Sequence, residues 1–289
     1  MRLSEQVNAL LWSWSETLRA LRRRAALGPL LVYAAAQTAA LLALAFFAYP
    51  PLSAVVAPAL KWRFGERALH YPNNLFVLRP ALGEVDVPLS VLFGSLTAGA
   101  AAIAFAAFYH GRRERFAASW RAASPCYLPL VGAAAITTAL SQVISRVPLS
   151  FWGHLAEDSP SRFRLLRLVT IALVIAVQAL MVYAIPAIAA GKRRFGPAVL
   201  GSLRLAVRQP VVTYLIVAAP AALELFPAWL ARESDVIAIR FSPELLIGVM
   251  LIWIAVILLA SYATLGAATR LFVHSTDDGV TDTAPSKEA

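Results

Sequence analysis

Six long apolar stretches dominate this chain and settle most of what it can fold into. They run from Gly28 to about Tyr49, from about Val87 to Phe108, from about Cys126 to Ile144, from Leu168 to Ala190, from Pro210 to Leu230 and from Leu245 to about Ala268. A hydrocarbon core about 30 Å thick takes around 20 helical residues to cross, and each stretch is close to that length. Their runs of Leu, Ala, Val and Ile show no apolar/polar alternation, which predicts helices rather than a β-barrel. Composition agrees. The chain is 60% hydrophobic and 15% charged with a mean hydropathy of +0.68, whereas soluble domains hold roughly 45–50% and about 25%. That excludes a disordered chain, a coiled coil and an ordinary soluble core. The single cysteine, Cys126, excludes an internal disulfide and a cysteine-based metal cluster. The first stretch is longer than the roughly 7–15 residues of a signal-peptide core, so it reads as a retained anchor.

The net charge of +10 is distributed by side. Taking the stretches as six spans, the segments flanking the odd spans at their starts and the tail from Arg270 hold 16 Lys and Arg; the three intervening loops hold 10. Segments 1–28, 110–125 and 190–209 carry 14 basic residues against three acids, while the opposite loops carry eight acids. By the positive-inside rule, both termini are expected in the cytoplasm. The excess charge is then mainly topological, and nucleic acid is not an expected partner.

Each odd span follows a basic, amphipathic segment. In residues 3–24, Leu3, Val7, Leu11, Trp14, Leu18 and Leu21 recur at helical spacing. In 112–124, Phe116 and Trp120 are one turn apart. In 193–208, Phe195, Val199, Leu203 and Val207 share a face, with Arg193, Arg204 and Arg208 elsewhere. Each segment leads to a proline (Pro29, Pro125, Pro210) at intervals of 96 and 85 residues, a residue tolerated in the first turn of a helix. The expected architecture is therefore all-α: six transmembrane helices as three hairpins, each preceded by a cytoplasmic amphipathic helix. Residues 1–27 form the first such helix, 28–270 the membrane domain and 271–289 a disordered tail. Helices of this kind lie in the headgroup layer with aromatic faces toward acyl chains and arginines toward phosphates. The candidate interfacial and docking residues are Trp14, Arg22, Arg23, Arg24, Phe116, Trp120, Arg121, Arg193, Arg204 and Arg208.

The stretch YAIPAIAAGKRRFGPAVLGSLRLAVRQP, Tyr183 to Pro210, resembles a group of poorly characterised bacterial multi-span proteins that includes the membrane domain beside some glycerophosphoryl diester phosphodiesterases. Residues 112–131 are a weaker copy, and the resemblance covers about a third of the chain. It implies a helical membrane domain and no chemistry; the phosphodiesterase catalytic domain is absent from this sequence.

Catalytic signatures are missing. There is no P-loop, no Gly-x-Ser-x-Gly and no His-Glu-x-x-His, and the four histidines are scattered. His154 and Asp158 are spaced as an acid–base pair without a nucleophile beside them. The polar intramembrane candidates are Gln37, Thr138, Gln142, Gln178 and Glu224, with Thr137, Ser141 and Thr138, Gln142 forming one strip at i,i+4 spacing. Such groups bond between helices or line a polar cavity. Pro186 and Pro220 predict kinks, and segments 60–68 and 161–168 predict short interfacial helices. No metal and no cofactor is expected. The expected role is a non-enzymatic subunit or scaffold of an envelope complex in the bacterial inner membrane, with membrane lipids, a protein partner or an ATPase subunit as partners. A transporter or permease subunit for a lipid or small amphiphile is the first alternative; an intramembrane lipid-modifying enzyme is the second.

Overall fold

The structure is a computed structural model that describes residues 3–22, 24–71, 73–152, 159–230 and 244–281. Most of those residues are helical, with no strand among them. Five of the helices are long and apolar enough to cross a membrane, and a sixth crossing is present if the bent pair 195–208 and 210–225 counts as one. The chain is therefore a membrane-embedded helical protein. Helix α1 covers Leu3–Ala20, α2 Arg24–Ala45, α3 Leu52–Phe64, α4 Asn73–Phe76, α5 Leu78–Leu89, α6 Ser95–Tyr109, α7 Phe116–Ala123 and α8 Tyr127–Trp152. Then come α9 Pro160–Met181, α10 Ala184–Ala189, α11 Phe195–Arg208, α12 Pro210–Leu230 and α13 Leu245–Thr281.

The contacts divide the chain into two compact units. One holds Met1–Pro29, Ser95–Ala219 and Tyr262–Ala289; the other holds Leu30–Gly94 and Pro220–Ser261.

In the first unit, α6 is buried along most of its length, with small residues at Gly99 to Ala102, Ala104 and Ala106 around the large side chain of Phe105. Small side chains are what let helices approach closely where lipid competes for apolar surface. A Cβ on Gly99 would lie 2.5 Å from Leu130 of α8. Helix α6 touches α7, α8 and α10, and α8 pairs with α9. The lead helices form a cycle of contacts. Phe116 of α7 packs on Gly28 at the base of α2, Phe195 of α11 packs on Gly132 of α8, and Gln6 Oε1 of α1 accepts the Val211 amide of α12 at 3.2 Å. Each lead helix thus meets the long helix opened by the preceding one, and α1 meets the last.

In the second unit, Leu41, Leu44, Phe47, Leu60, Leu75, Leu78, Leu82, Val249, Met250 and Ile254 form one buried cluster. Helix α3 ends at Gly65, whose φ of +82° suits a residue without Cβ, and a 3₁₀ turn follows over Glu66–Leu69. Segment 60–68 is thus the end of a longer helix plus that turn. Arg63 and Glu84 pair at 2.6 Å, and Tyr71 donates to Glu244 at 3.3 Å.

Several sequence boundaries are corrected. The second apolar helix begins at Leu78, not Val87, because α5 continues through a π-turn at Ser90–Gly94 into α6. The π-turn follows Pro88, which supplies no amide to the ladder. The fourth apolar helix starts near Ser161 and absorbs segment 161–168. Its break falls at Val182 and Tyr183, so that Pro186 occupies the first turn of α10 rather than a mid-helix kink. Pro220 lies inside α12 without ending it. Helix α13 runs to Thr281. Leu271, Phe272 and Val273, placed in a disordered tail by sequence, are buried core.

Candidate functional site

The threefold amphipathic pattern is present in α1, α7 and α11, and each of these helices turns a face of small residues inward. Helix α1 buries Gln6, Leu10, Ser13, Thr17 and Ala20, at spacings of three and four, and leaves Val7, Leu11 and Leu18 exposed, as is Leu21 just past its end. Helix α7 buries Ser119 and Ala123 and exposes Phe116; α11 buries Ala198, Ser202 and Ala206 and exposes Leu200 and Val207. Of the patterned apolar side chains, Val7, Leu11, Leu18, Leu21, Phe116 and Val207 are exposed, with Leu18 64% and Val207 72% accessible, and Trp14, Trp120, Phe195, Val199 and Leu203 are half-buried, while Ser13, Ser119 and Ser202 are fully enclosed. The physical reason is that each serine satisfies its hydroxyl on a nearby carbonyl. Ser13 bonds Ala9 O at 2.6 Å and Ser119 bonds Phe116 O at 2.8 Å. Ser202 bonds Leu180 O at 2.7 Å and also accepts the Tyr183 amide at 3.2 Å, which ties α11 to the break after α9. A self-satisfied hydroxyl is small and can be buried at little cost.

One polar and aromatic cluster joins α1, α6 and α13. Tyr109 Oη donates to Gly266 O at 3.0 Å and lies 3.1 Å from Thr17 Oγ1; Tyr262 Oη donates to Thr17 O at 3.2 Å. Arg270 lies with its guanidinium carbon 3.9 Å from the centre of the Trp12 ring and 5.2 Å from that of Tyr109, a cation–π geometry. Its Nε is buried without a hydrogen-bond partner among the described residues. His274, one turn on, meets Trp12 edge-on at 5.5 Å.

The other docking candidates scatter. Trp14 is half-buried and its indole Nε1 is enclosed without a hydrogen-bond partner among the described residues. Trp120 stacks edge-on with Phe116 at 6.0 Å. Arg22, Arg121, Arg204 and Arg208 are exposed. Arg193 is exposed and crosses the Phe272 ring at 5.5 Å. Arg24 opens α2. Arg23, His154 and Asp158 lie outside the described residues.

Of the intramembrane candidates only Gln37 finds a partner among the described residues. Its Nε2 donates at 2.7 Å to Asp86 Oδ1, which also accepts the Tyr33 hydroxyl at 2.9 Å. Asp86, read from sequence as a loop residue, belongs to the long helix Leu78–Tyr109. Ionisable residues so placed are costly and mark functional sites by default. The sequence signal was present: Asp86 lies between Val85 and Val87 in an apolar setting, but Glu84 beside it drew the boundary too late. Thr137 bonds back to Ala133 O at 2.8 Å, and Ser141 Oγ is enclosed without a hydrogen-bond partner among the described residues. Thr138, Gln142, Gln178 and Glu224 are half-buried and are not brought together by hydrogen bonds.

No cluster of three metal-binding side chains occurs among the described residues. Set against known proteins, the chain matches no family model, no curated protein and no solved structure.

Proposed function

We propose that this protein is a non-enzymatic multi-pass protein of the bacterial inner membrane, acting as a subunit or scaffold of an envelope complex through lipid contacts. The observation that supports this most is the outward turn of large apolar side chains on the lead helices α1 and α11. Leu11, Leu18, Leu200 and Val207 face away from the protein while small serine and alanine faces pack inside. Large apolar side chains left outside next to exposed Arg22, Arg204 and Arg208 fit the boundary between acyl chains and anionic headgroups. Six spans with both termini cytoplasmic follow from the charge distribution, with α11 lying at 101° to the following helix as an in-plane element. The resemblance of Tyr183–Pro210 to membrane domains beside phosphodiesterases belongs to the same proposal.

Native mass spectrometry after mild extraction tests it. The wild type is expected to carry phospholipid into the gas phase, and a variant with Leu11, Leu18, Leu200 and Val207 all changed to Ser is expected to lose most of it. Equal lipid on both would overturn the reading. A second reading, a transporter or permease subunit for a lipid or small amphiphile, draws on the Asp86–Gln37–Tyr33 arrangement. Substrate flux into liposomes that depends on Asp86 would favour it.

A further inference from the structure

A cleft of about 380 Å³ opens where the start of α2 meets the segment between α6 and α7. That volume lies within the roughly 300–1,000 Å³ of small-molecule sites. Its apolar wall is Ala25, Ala26 and Phe108; its polar wall is Arg112, Arg113 and Glu114. The segment is held in place by local backbone bonds. Gly111 takes a φ of +72°, which favours a residue without Cβ, and the Arg112 amide returns to Ala107 O at 2.8 Å. Arg115 is extended, at φ −90° and ψ 143°, before α7 begins. Arg113 and Glu114 therefore project from a defined turn, and neither carries an ion pair or hydrogen bond among the described residues. Ala25 and Ala26 belong to the first turn of α2, the positive end of that helix dipole.

We infer that this cleft binds the headgroup of a phospholipid carrying both a phosphate and a primary ammonium. The Arg113 guanidinium supplies planar donors for phosphate oxygens, and Arg112 beside it adds positive charge. Glu114 is the acceptor for the ammonium hydrogens, and Ala25, Ala26 and Phe108 receive the first methylenes of the chains. A purely anionic lipid would satisfy the arginines and leave Glu114 facing a like charge. The inference rests on the lipid-contact reading above and narrows it to one headgroup class at one place.

The test is native mass spectrometry of delipidated full-length protein in detergent, titrated separately with phosphatidylethanolamine, phosphatidylglycerol and phosphatidylcholine of identical short chains. Phosphatidylethanolamine is expected to bind at least about fivefold more tightly than either of the others. Arg113→Gln weakens all three. Glu114→Gln removes the preference for phosphatidylethanolamine and leaves phosphatidylglycerol binding equal or stronger. Both positions lie in a turn between helices, and unchanged circular dichroism and thermal unfolding verify that the variants are folded. Equal binding of the three lipids, or a Glu114→Gln variant that keeps the wild-type preference, overturns the headgroup site while leaving the lipid-contact reading in place. Absence of binding by every lipid overturns both. Displacement by soluble glycerophosphoethanolamine at the same concentration as the lipid overturns the assignment to a lipid source.

Discussion

The methyl group of Thr17 occupies the space into which a side chain on Gly266 would grow, so α1 and α13 meet there without room for one more carbon. Phe105 closes the same spot, 3.0 Å from that Cβ position. Gly266→Ala is therefore expected to destabilise the protein by about 1–3 kcal/mol, the usual cost of overpacking. Thr17→Ser removes the obstructing methyl and keeps the hydroxyl. The double variant is expected to recover most of the loss, and thermal unfolding of the four proteins of that cycle in one detergent checks it. Additive losses would mean that the contact does not limit the packing.

Asp86 is the acceptor on which two side chains depend. Asp86→Leu leaves the buried Gln37 amide and the Tyr33 hydroxyl without their acceptor, a cost of about 1–3 kcal/mol for an orphaned buried donor. Asp86→Asn keeps an oxygen in place and is expected to cost less. The combined Gln37→Leu, Asp86→Leu variant should lose less than the sum of the single changes, because the orphaned amide goes with its partner. Denaturation midpoints of these variants decide it.

Arg270 lies over Trp12 in a manner that an ammonium does not reproduce. A planar guanidinium 3.9 Å from the ring centre stacks as well as attracts, so Arg270→Lys is not conservative here. The expected loss is about 0.5–2 kcal/mol. Tryptophan fluorescence, compared with a Trp12→Phe control, reports whether the change is felt at that ring.

Ser202 performs two tasks at the junction of α9 and α11, donating to Leu180 O and accepting from the Tyr183 amide. Ser202→Ala removes both at once and is expected to cost about 1–3 kcal/mol, since the Tyr183 amide is buried. Hydrogen exchange at residues 180–184 should rise in this variant more than elsewhere. Uniform exchange would show that the break after Met181 is held by other contacts.

Outside the spans, Lys61 donates to Glu66 at 3.0 Å and holds its carboxyl below the usual carboxylate range, first through that hydrogen bond and then through its charge. A lowered folded-state value means the pair contributes above the unfolded value of about 4.3 and loses its contribution as pH falls through the folded one. Both groups are exposed, so the effect on stability is small. The direct measurement is the Glu66 side-chain titration by NMR: Lys61→Met should move its midpoint upward, toward the ordinary range.

Some of this was legible in the sequence because it depends on local composition alone. Long apolar runs can satisfy their backbone in lipid only as helices, so the helical class followed from the chain itself. So did the three basic lead segments. The site was less legible. Gln37 stood out as a polar residue in an apolar run, but its partner Asp86 sits 49 positions away beside Glu84, where charge density imitates a loop. The last helix was cut short because its polar residues after Ser275 mask that Leu271 to Val273 pack inside.

The faces of α1, α7 and α11 divide the two kinds of information most clearly. Spacing alone determined that these segments are amphipathic helices, since a 3.6-residue period needs no partner to be seen. Which face turns inward was decided only by tertiary packing. In water the leucine face would seek the core; beside lipid, leucine gains little by leaving the bilayer, and close approach favours the small face instead. Ser13, Ser119 and Ser202 are enclosed, while Leu11, Leu18, Phe116 and Val207 are left exposed.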